Sequence, residues 1–169
     1  MSLLGPPDPD WPRPAAEEIA RWIARVPSLL EVHHIGSTSV PGLPAKPIID
    51  LLPVFESEAA RDAAEAAVTS LGYEWMGPFG LPRRANARLS DAENGKRLFH
   101  ADGYADGHTD IRRQLGFRDA LGGNAALRAG YTSAKAACAA RHPEGVATYR
   151  ECKADWIAKV DVRTLERLT

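Results

Sequence analysis

Apolar residues recur with helical spacing soon after the start of the chain. Ile19, Trp22, Ile23 and Val26 fall at i, i+3, i+4 and i+7, and Pro27 stops the run, which predicts an amphipathic helix from about Ala15. Residues 29–35 read as a strand ended by Gly36-Ser37-Thr38-Ser39. After a loop with Pro41, Pro44 and Pro47, residues 48–55 are apolar on both faces, as a strand covered on both sides should be. Pro53 limits how far that strand's ladder runs as an interior one. Ser57 is expected to cap one alanine-rich helix reaching Leu71 and closed by Gly72. Short strands follow at 73–76, at 85–89 as an edge strand in a loop-rich stretch, and at 96–101.

Beyond Gly107 the period becomes helical and stays so. Ile111, Leu115, Phe117 and Leu121 mark a helix stopped by Gly122-Gly123, and Asn124 caps a second running to about Arg141. After His142-Pro143 a third runs from about Gly145 to Leu168. Strands gathered early and helices late predict an α+β fold, a short mixed β-sheet with flanking helices followed by a C-terminal helical region. The expected organisation is one domain over 1–169. It comprises an extended arm at 1–14, where five prolines oppose helix, an α/β sheet core at 15–106 and a helical cap at 107–169. Trp11 is expected to anchor the arm.

Composition narrows the classes. The chain has 169 residues, enough for one domain with a real core. Lys and Arg number 21 against 22 acidic residues, a balance that argues against bulk attraction to nucleic acid or to a membrane surface. The longest apolar stretch, 43–55, is broken by Lys46 and Asp50, so no membrane span is expected. Cys138 and Cys152 are too few for a disulfide scaffold and are expected as reduced thiols in a cytoplasmic protein; neither they nor His142 show zinc spacing. The Pro- and Asp-rich start does not read as a secretory signal.

The chemistry concentrates in residues 33–50, where a strand delivers Gly36-Ser37 into a tight turn and a second strand presents Asp50. Gly36 lets an anion approach the backbone, and the hydroxyls of Ser37, Thr38 and Ser39 can donate to phosphate oxygens. Asp50 is suited to a divalent cation, Mg²⁺ or Mn²⁺, that bridges such phosphates, and Lys46 adds positive charge. These residue types call for a phosphorylated small molecule. His33 and His34 straddle a strand, so one turns inward, and a satisfied structural histidine is the plainer reading of it.

The run from His34 to Asp50, HIGSTSVPGLPAKPIID, closely resembles the hallmark of the GrpB family, a bacterial group described as nucleotidyltransferase-like and sometimes fused to dephospho-CoA kinase. Asp8-Pro9-Asp10-Trp11-Pro12, Phe99-His100, Phe117-Arg118-Asp119, Tyr131 to Lys135 and Tyr149 to Lys153 also resemble it, so the likeness covers nearly the whole chain. The resemblance implies the fold of polymerase-β-like nucleotidyltransferases. There, a Gly-Ser pair opens a helix at the triphosphate, two carboxylates one residue apart on the next strand bind two metals, and a third lies on a neighbouring strand. Asp50 matches the first carboxylate, but the place of the second is Leu52, which has no lone pair for a metal. The third place falls at 98–102, where the resemblance puts His100, as metal ligand or as acid and base. Tyr131 with Lys135, and Tyr149 with Lys153, repeat an i, i+4 spacing that projects each pair to one side, toward a pocket for an anionic ligand. The bland alternatives are packing tyrosines and solvated lysines. Arg83, Arg84 and Arg88 are expected on another wall, and Arg118-Asp119 as an ion pair that orients a helix. Two functions follow: nucleotidyl transfer to a small acceptor, or a non-catalytic nucleotide-binding or interaction domain that has lost the second carboxylate.

Overall fold

The computed structural model describes residues 4–143 and 146–166. Its centre is a five-stranded mixed sheet of β1 (Leu29–Ile35), β2 (Ile49–Phe55), β3 (Glu74–Gly77), β4 (Ala85–Ser90) and β5 (Arg97–Ala105), in the order β1-β2-β5-β4-β3. β2 and β5 run parallel and every other pair is antiparallel. The β2–β5 ladder joins 49–51 to 99–101 and resumes at Val54 and Phe55, skipping the stretch where Pro53 has no N–H to donate. The strand expected at the edge, β4, is interior, because β3 pairs along its outer side. β5 runs on to Ala105, with Gly103 where an added Cβ would lie 2.8 Å from Phe55 Cε2.

One face of the sheet is covered by α1 (Pro12–Arg25), α2 (Glu58–Asp62) and α3 (Glu65–Ser70). Trp22, Val68 and Tyr73 close there on Val32, Leu51, Phe55, Ala87 and Ala101. α1 begins inside the segment expected to be extended. Pro12 and Pro14 sit in its first turn, where a missing N–H leaves no bond unmade. Trp11 is buried, as its anchoring role requires. The single helix expected over 57–71 is two, since Ala63 and Ala64 have ψ near zero (−8° and −9°) between α2 and α3; the sequence carries no Gly or Pro there to announce the break. The Ser57 hydroxyl accepts the Ala60 N–H as a cap.

The other face is covered by the helical region: α4 (Thr109–Gly123), α5 (Ala125–Arg141) and α6 (Val146–Glu166). Gly145 and Leu168, the expected bounds of the last helix, lie outside the described residues. Ile111 and Leu115 of α4 pack on Ile35, Leu52 and Tyr104 of the sheet. A third cluster joins Val40 and Leu43, from the loop after β1, to Leu121 and Tyr131, with Phe117, Leu127, Trp156 and Ile157 around them. That cluster fixes the site, because it gives the helical region and the Gly36-Ser37 loop one core. No helix among the described residues is long and apolar enough to cross a membrane.

The cysteines depart from expectation. Cys138 of α5 and Cys152 of α6 are joined in a disulfide rather than free. Their sequence spacing gave no sign of it, because the hairpin that brings the two helices together is a tertiary feature. Closing a loop of this length restricts the unfolded chain by about 3 kcal/mol. Reduction, or Cys138→Ser, is therefore expected to lower the urea midpoint by a corresponding amount. Equal midpoints for oxidised and reduced protein would show that the crosslink carries no stability.

Candidate functional site

β1 ends where β2 begins, and register does the rest. Ile35 pairs with Asp50, Asp50 with His100, and His100 with Arg88, so one row across β2, β5 and β4 carries Asp50, His100 and Arg88 side by side. The next row on that face carries Asp102 beside Asn86. These rows floor a cavity of about 940 Å³, within the range of small-molecule sites. Its walls come from the Ser37 turn, the loop to Lys46, α5 and α6 on one side, and the loop before β4 on the other.

The tight turn needs glycine twice over. Gly36 has φ +73°, and a Cβ there would stand 2.5 Å from Asp50 Oδ2. Gly36→Ala is expected to cost on the order of 2–3 kcal/mol in urea unfolding, combining a strained backbone with a displaced carboxylate. An unchanged midpoint would mean that Asp50 swings away freely. The hydroxyls divide their work. Ser39 donates to the Gly36 carbonyl (2.6 Å), and Thr38 Oγ1 lies 2.9 Å from His34 Nε2, so His34 is a satisfied structural residue. Burial holds the His34 imidazole below its ordinary pKa.

Ser37 is left for the cavity, and Lys135 Nζ donates to its Oγ (2.9 Å) and to the Pro44 carbonyl. Lys135 is 2% exposed. Burial, and then the neighbouring Lys153, push its pKa down to about 7, with Asp50 opposing them. Burial also lowers Lys153, again against Asp50, and lowers Lys46, to which Arg150 adds. The Tyr149 ring lies between two of these ammonium groups, with Lys46 5.4 Å and Lys153 5.2 Å from its centroid. Solvated lysines are thus not what the helices present.

His100 has both ring nitrogens engaged. Arg97 Nη1 lies 3.1 Å from Nε2, and a guanidinium only donates, so Nε2 accepts and the ring proton sits on Nδ1. That nitrogen faces Asp50 Oδ1 at 3.5 Å. Asp102 accepts from Asn86 Nδ2 (2.7 Å) and pairs with Arg84 (3.4 Å).

Of the residues singled out in the sequence, Ser37, Thr38, Lys46, Asp50, His100, Lys135, Tyr149 and Lys153 all line this one cavity. Gly36 shapes the turn beneath it. Tyr131 stands behind the wall: its ring packs against Phe117 and Trp156, and Lys135 Nζ lies 5.1 Å from the ring centroid. Arg84 and Arg88 line the far wall, whereas Arg83 turns to Glu58 (2.9 Å). Arg118 pairs with Asp119 (2.7 Å) and also donates to the His34 carbonyl (3.2 Å). Asn86, Arg97, Asp102, Arg150 and the rim residues Phe79 and Leu81 escaped the sequence reading. The alternation of Arg84, Asn86 and Arg88 with Ala85, Ala87 and Leu89 was the available signal for part of that wall.

A mixed sheet with a Gly-Ser turn beside a strand acid, closed by helices, is the nucleotidyltransferase-like architecture. Structures of the poly(U) polymerase Cid1 share it at 18% identity and a TM-score of 0.53, over 78% of this chain and 41% of Cid1, which shows the fold alone. The family described as GrpB protein matches residues 3–163, and the chain belongs to that family. The crystal structure of the conserved protein GrpB from Enterococcus faecalis superposes with a TM-score of 0.86 at 34% identity, covering 98% of this chain and 99% of that one. The UPF0157 protein YqkA of Bacillus subtilis is 35% identical over 131 residues, which are 78% of this chain and 37% of YqkA, so the chain spans well under half of that relative.

Two Cid1 structures are bound to MgATP and MgGTP, but the donors here do not fit a pair of metals. Leu52, at the second carboxylate's place, is fully buried among Ile35, Tyr104 and the α4 side chains. Both His100 nitrogens are taken, and Asp102 is held by Asn86 and Arg84. Among the described residues no group of three or more His, Cys, Asp or Glu could hold a metal ion. The positive charge of the site is that of its lysines and arginines.

Proposed function

We propose that the cavity binds a nucleotide or a similar polyphosphorylated small molecule, its phosphates lying on Ser37 and the ammonium groups of Lys46, Lys135 and Lys153. The observation that carries this reading is the convergence of those three lysines with Ser37, Asp50 and His100 in one cavity. Lysines held below their ordinary pKa by burial gain most from a polyanion, which supplies the counter-charge they lack. The reaction such a site would run is nucleotidyl transfer. An acceptor hydroxyl oxygen bonds to the α-phosphorus, the bond from that phosphorus to the bridging oxygen breaks, and pyrophosphate leaves with its electron pair. Asp50, oriented by the His100 Nδ1 proton, takes the hydroxyl proton. Catalysis of this kind rests on positioning and charge neutralisation.

A second reading, a binding domain without turnover, is favoured by Leu52, which removes the acid on which two-metal transfer depends. One experiment separates the two. Nucleoside triphosphates are screened by thermal shift with and without Mg²⁺ or Mn²⁺, and pyrophosphate release is followed in parallel. Stabilisation that persists in EDTA supports the lysine cradle, and absence of any shift overturns it. Pyrophosphate release by the wild type that Asp50→Ala abolishes, with triphosphate binding retained, supports transfer. Binding without release supports the non-catalytic domain.

A further inference from the structure

The row that carries Asp50 and His100 runs through Arg88 to Glu74 of β3, and the Arg88 end of the cavity has a chemistry of its own. Arg88, Arg97 and Arg150 line it, and among the described residues none of the three closes an ion pair with a carboxylate of the cavity; Glu74, which does not line it, faces Arg88 across the β3–β4 ladder. The Arg88 guanidinium lies 4.2 Å from the centroid of Phe79, so one face of it is fixed by a ring. Arg97 donates to Ser90 Oγ (3.1 Å) and to His100 Nε2. Of the acids that line the cavity, Asp102 is already spent on Arg84 and Asn86. Phe79 is 49% exposed at φ +42°, yet its carbonyl accepts from Arg84 Nη2 (2.6 Å), so the ring is presented rigidly at the rim. Two polar atoms of this wall, Arg88 Nε and Asn86 Oδ1, are buried without a hydrogen-bond partner.

Like charges fixed beside one another by neutral contacts are unfavourable until an anion arrives. Burial first, then Arg97 and less strongly Arg150 and Arg84 disfavour the Arg88 charge, with Glu74 opposing them. Guanidinium groups present forked donors that match the oxygens of a phosphate or carboxylate. We infer that Arg88 and Arg97, across Asp50 and His100 from the lysine cradle, form with Arg150, which reaches them from beside that cradle, a second oxyanion subsite, and that it takes a phosphomonoester group on a second ligand. Three guanidiniums offset by one exposed acid, Glu74, keep a net positive charge of two, which suits a dianion better than a single carboxylate. The inference rests on the lysine cradle as the first anion site, and it assigns the small acceptor a chemical class: a phosphorylated molecule whose reactive group faces the Asp50–His100 pair.

The test uses two probes at constant ionic strength, inorganic triphosphate and inorganic phosphate. Phosphate titrated into triphosphate-saturated protein is expected to give a second isotherm of unit stoichiometry. Arg88→Gln is expected to weaken that step by about tenfold or more while shifting triphosphate affinity by less than about threefold. Arg150→Gln, on an exposed stretch of α6 and no threat to folding, is expected to act in the same direction. The inference is overturned if phosphate does not bind the saturated protein, or if Arg88→Gln weakens triphosphate as much as Lys135→Met does, since one anion then spans both walls. If triphosphate fails to bind wild type at all, the lysine reading fails separately. Phosphate titration into ligand-free wild type and Arg88→Gln then decides the arginine wall by itself.

Discussion

Lys135→Met is expected to weaken inorganic triphosphate binding at pH 7 by about 100-fold, which is the loss of a charge-assisted hydrogen bond in a site shielded from water. Lys135 is the buried member of the cradle, anchored on Ser37 Oγ and the Pro44 carbonyl, so no neighbouring ammonium can take its place. Its titration gives the same residue a second signature. In the ligand-free protein its pKa lies at about 7, against an unfolded value near 10.5. Between those values the unfolded chain binds the proton more strongly, so the Lys135 contribution destabilises the fold below pH 7 and is relieved as pH rises toward 10.5. A polyanion beside the ammonium reverses the shift. Binding above pH 7 must then take up a proton, and wild-type affinity is expected to fall by up to about tenfold per pH unit between pH 7 and 9. Calorimetry at pH 8 in two buffers of different ionisation enthalpy reads the proton directly. A wild-type affinity that is flat across this range, or a methionine variant that binds as well as wild type, would remove Lys135 from the cradle.

The charge pattern supports assigning the proposed phosphate side to lysines rather than to metals. A divalent cation needs several oxygen ligands, and this strand offers a single acid whose oxygens face His100 and Gly36. An ammonium group needs no such shell. It can be delivered on a long side chain from a helix, and α5 and α6 deliver two, tied together by the Cys138–Cys152 bond one turn from Lys135 and next to Lys153.

Much of this architecture was legible along the chain, and the exceptions have physical causes. The strands at 29–35 and 49–55 and the Asn124 cap announce themselves through periodicity and turn chemistry. Ser37 and Asp50 were readable as partners because a turn and the following strand leave little freedom in where they meet. Arg97 and Arg150 were not, since they reach the cavity through register and helix docking, which only the assembled fold defines. Tyr131 has the same i, i+4 relation to Lys135 as Tyr149 has to Lys153, yet one ring is packed behind Ser37 and the other lines the cavity. Spacing fixes which side chains share a helix face but not what that face meets. The start of α1 at Pro12 shows that proline content alone is a poor guide, because position within the first turn decides its effect.

Leu52→Asp restores, on paper, the alternating pair of acids that two-metal nucleotidyltransferases use. It is expected instead to destabilise the protein by about 4 kcal/mol, the cost of a buried and unpaired charge together with lost packing. Leu52 is completely buried against Ile35 and Tyr104, with Ile111 and Leu115 of α4 packed over them, so the new carboxyl would face apolar groups rather than the cavity. Its folded-state pKa would be raised above the unfolded value of about 3.9, so the destabilisation should be smallest below about pH 3, where the group is largely protonated in both states, and grow as pH rises. Leu52→Asn separates polarity from charge and should show no such pH dependence. Millimolar Mg²⁺ is expected to leave the urea midpoint of the aspartate variant unchanged. If Mg²⁺ instead recovers most of the lost stability, α4 yields to let a metal reach β2. The second metal position would then be latent in the fold, and the lysine cradle would no longer account for the site's charge by itself.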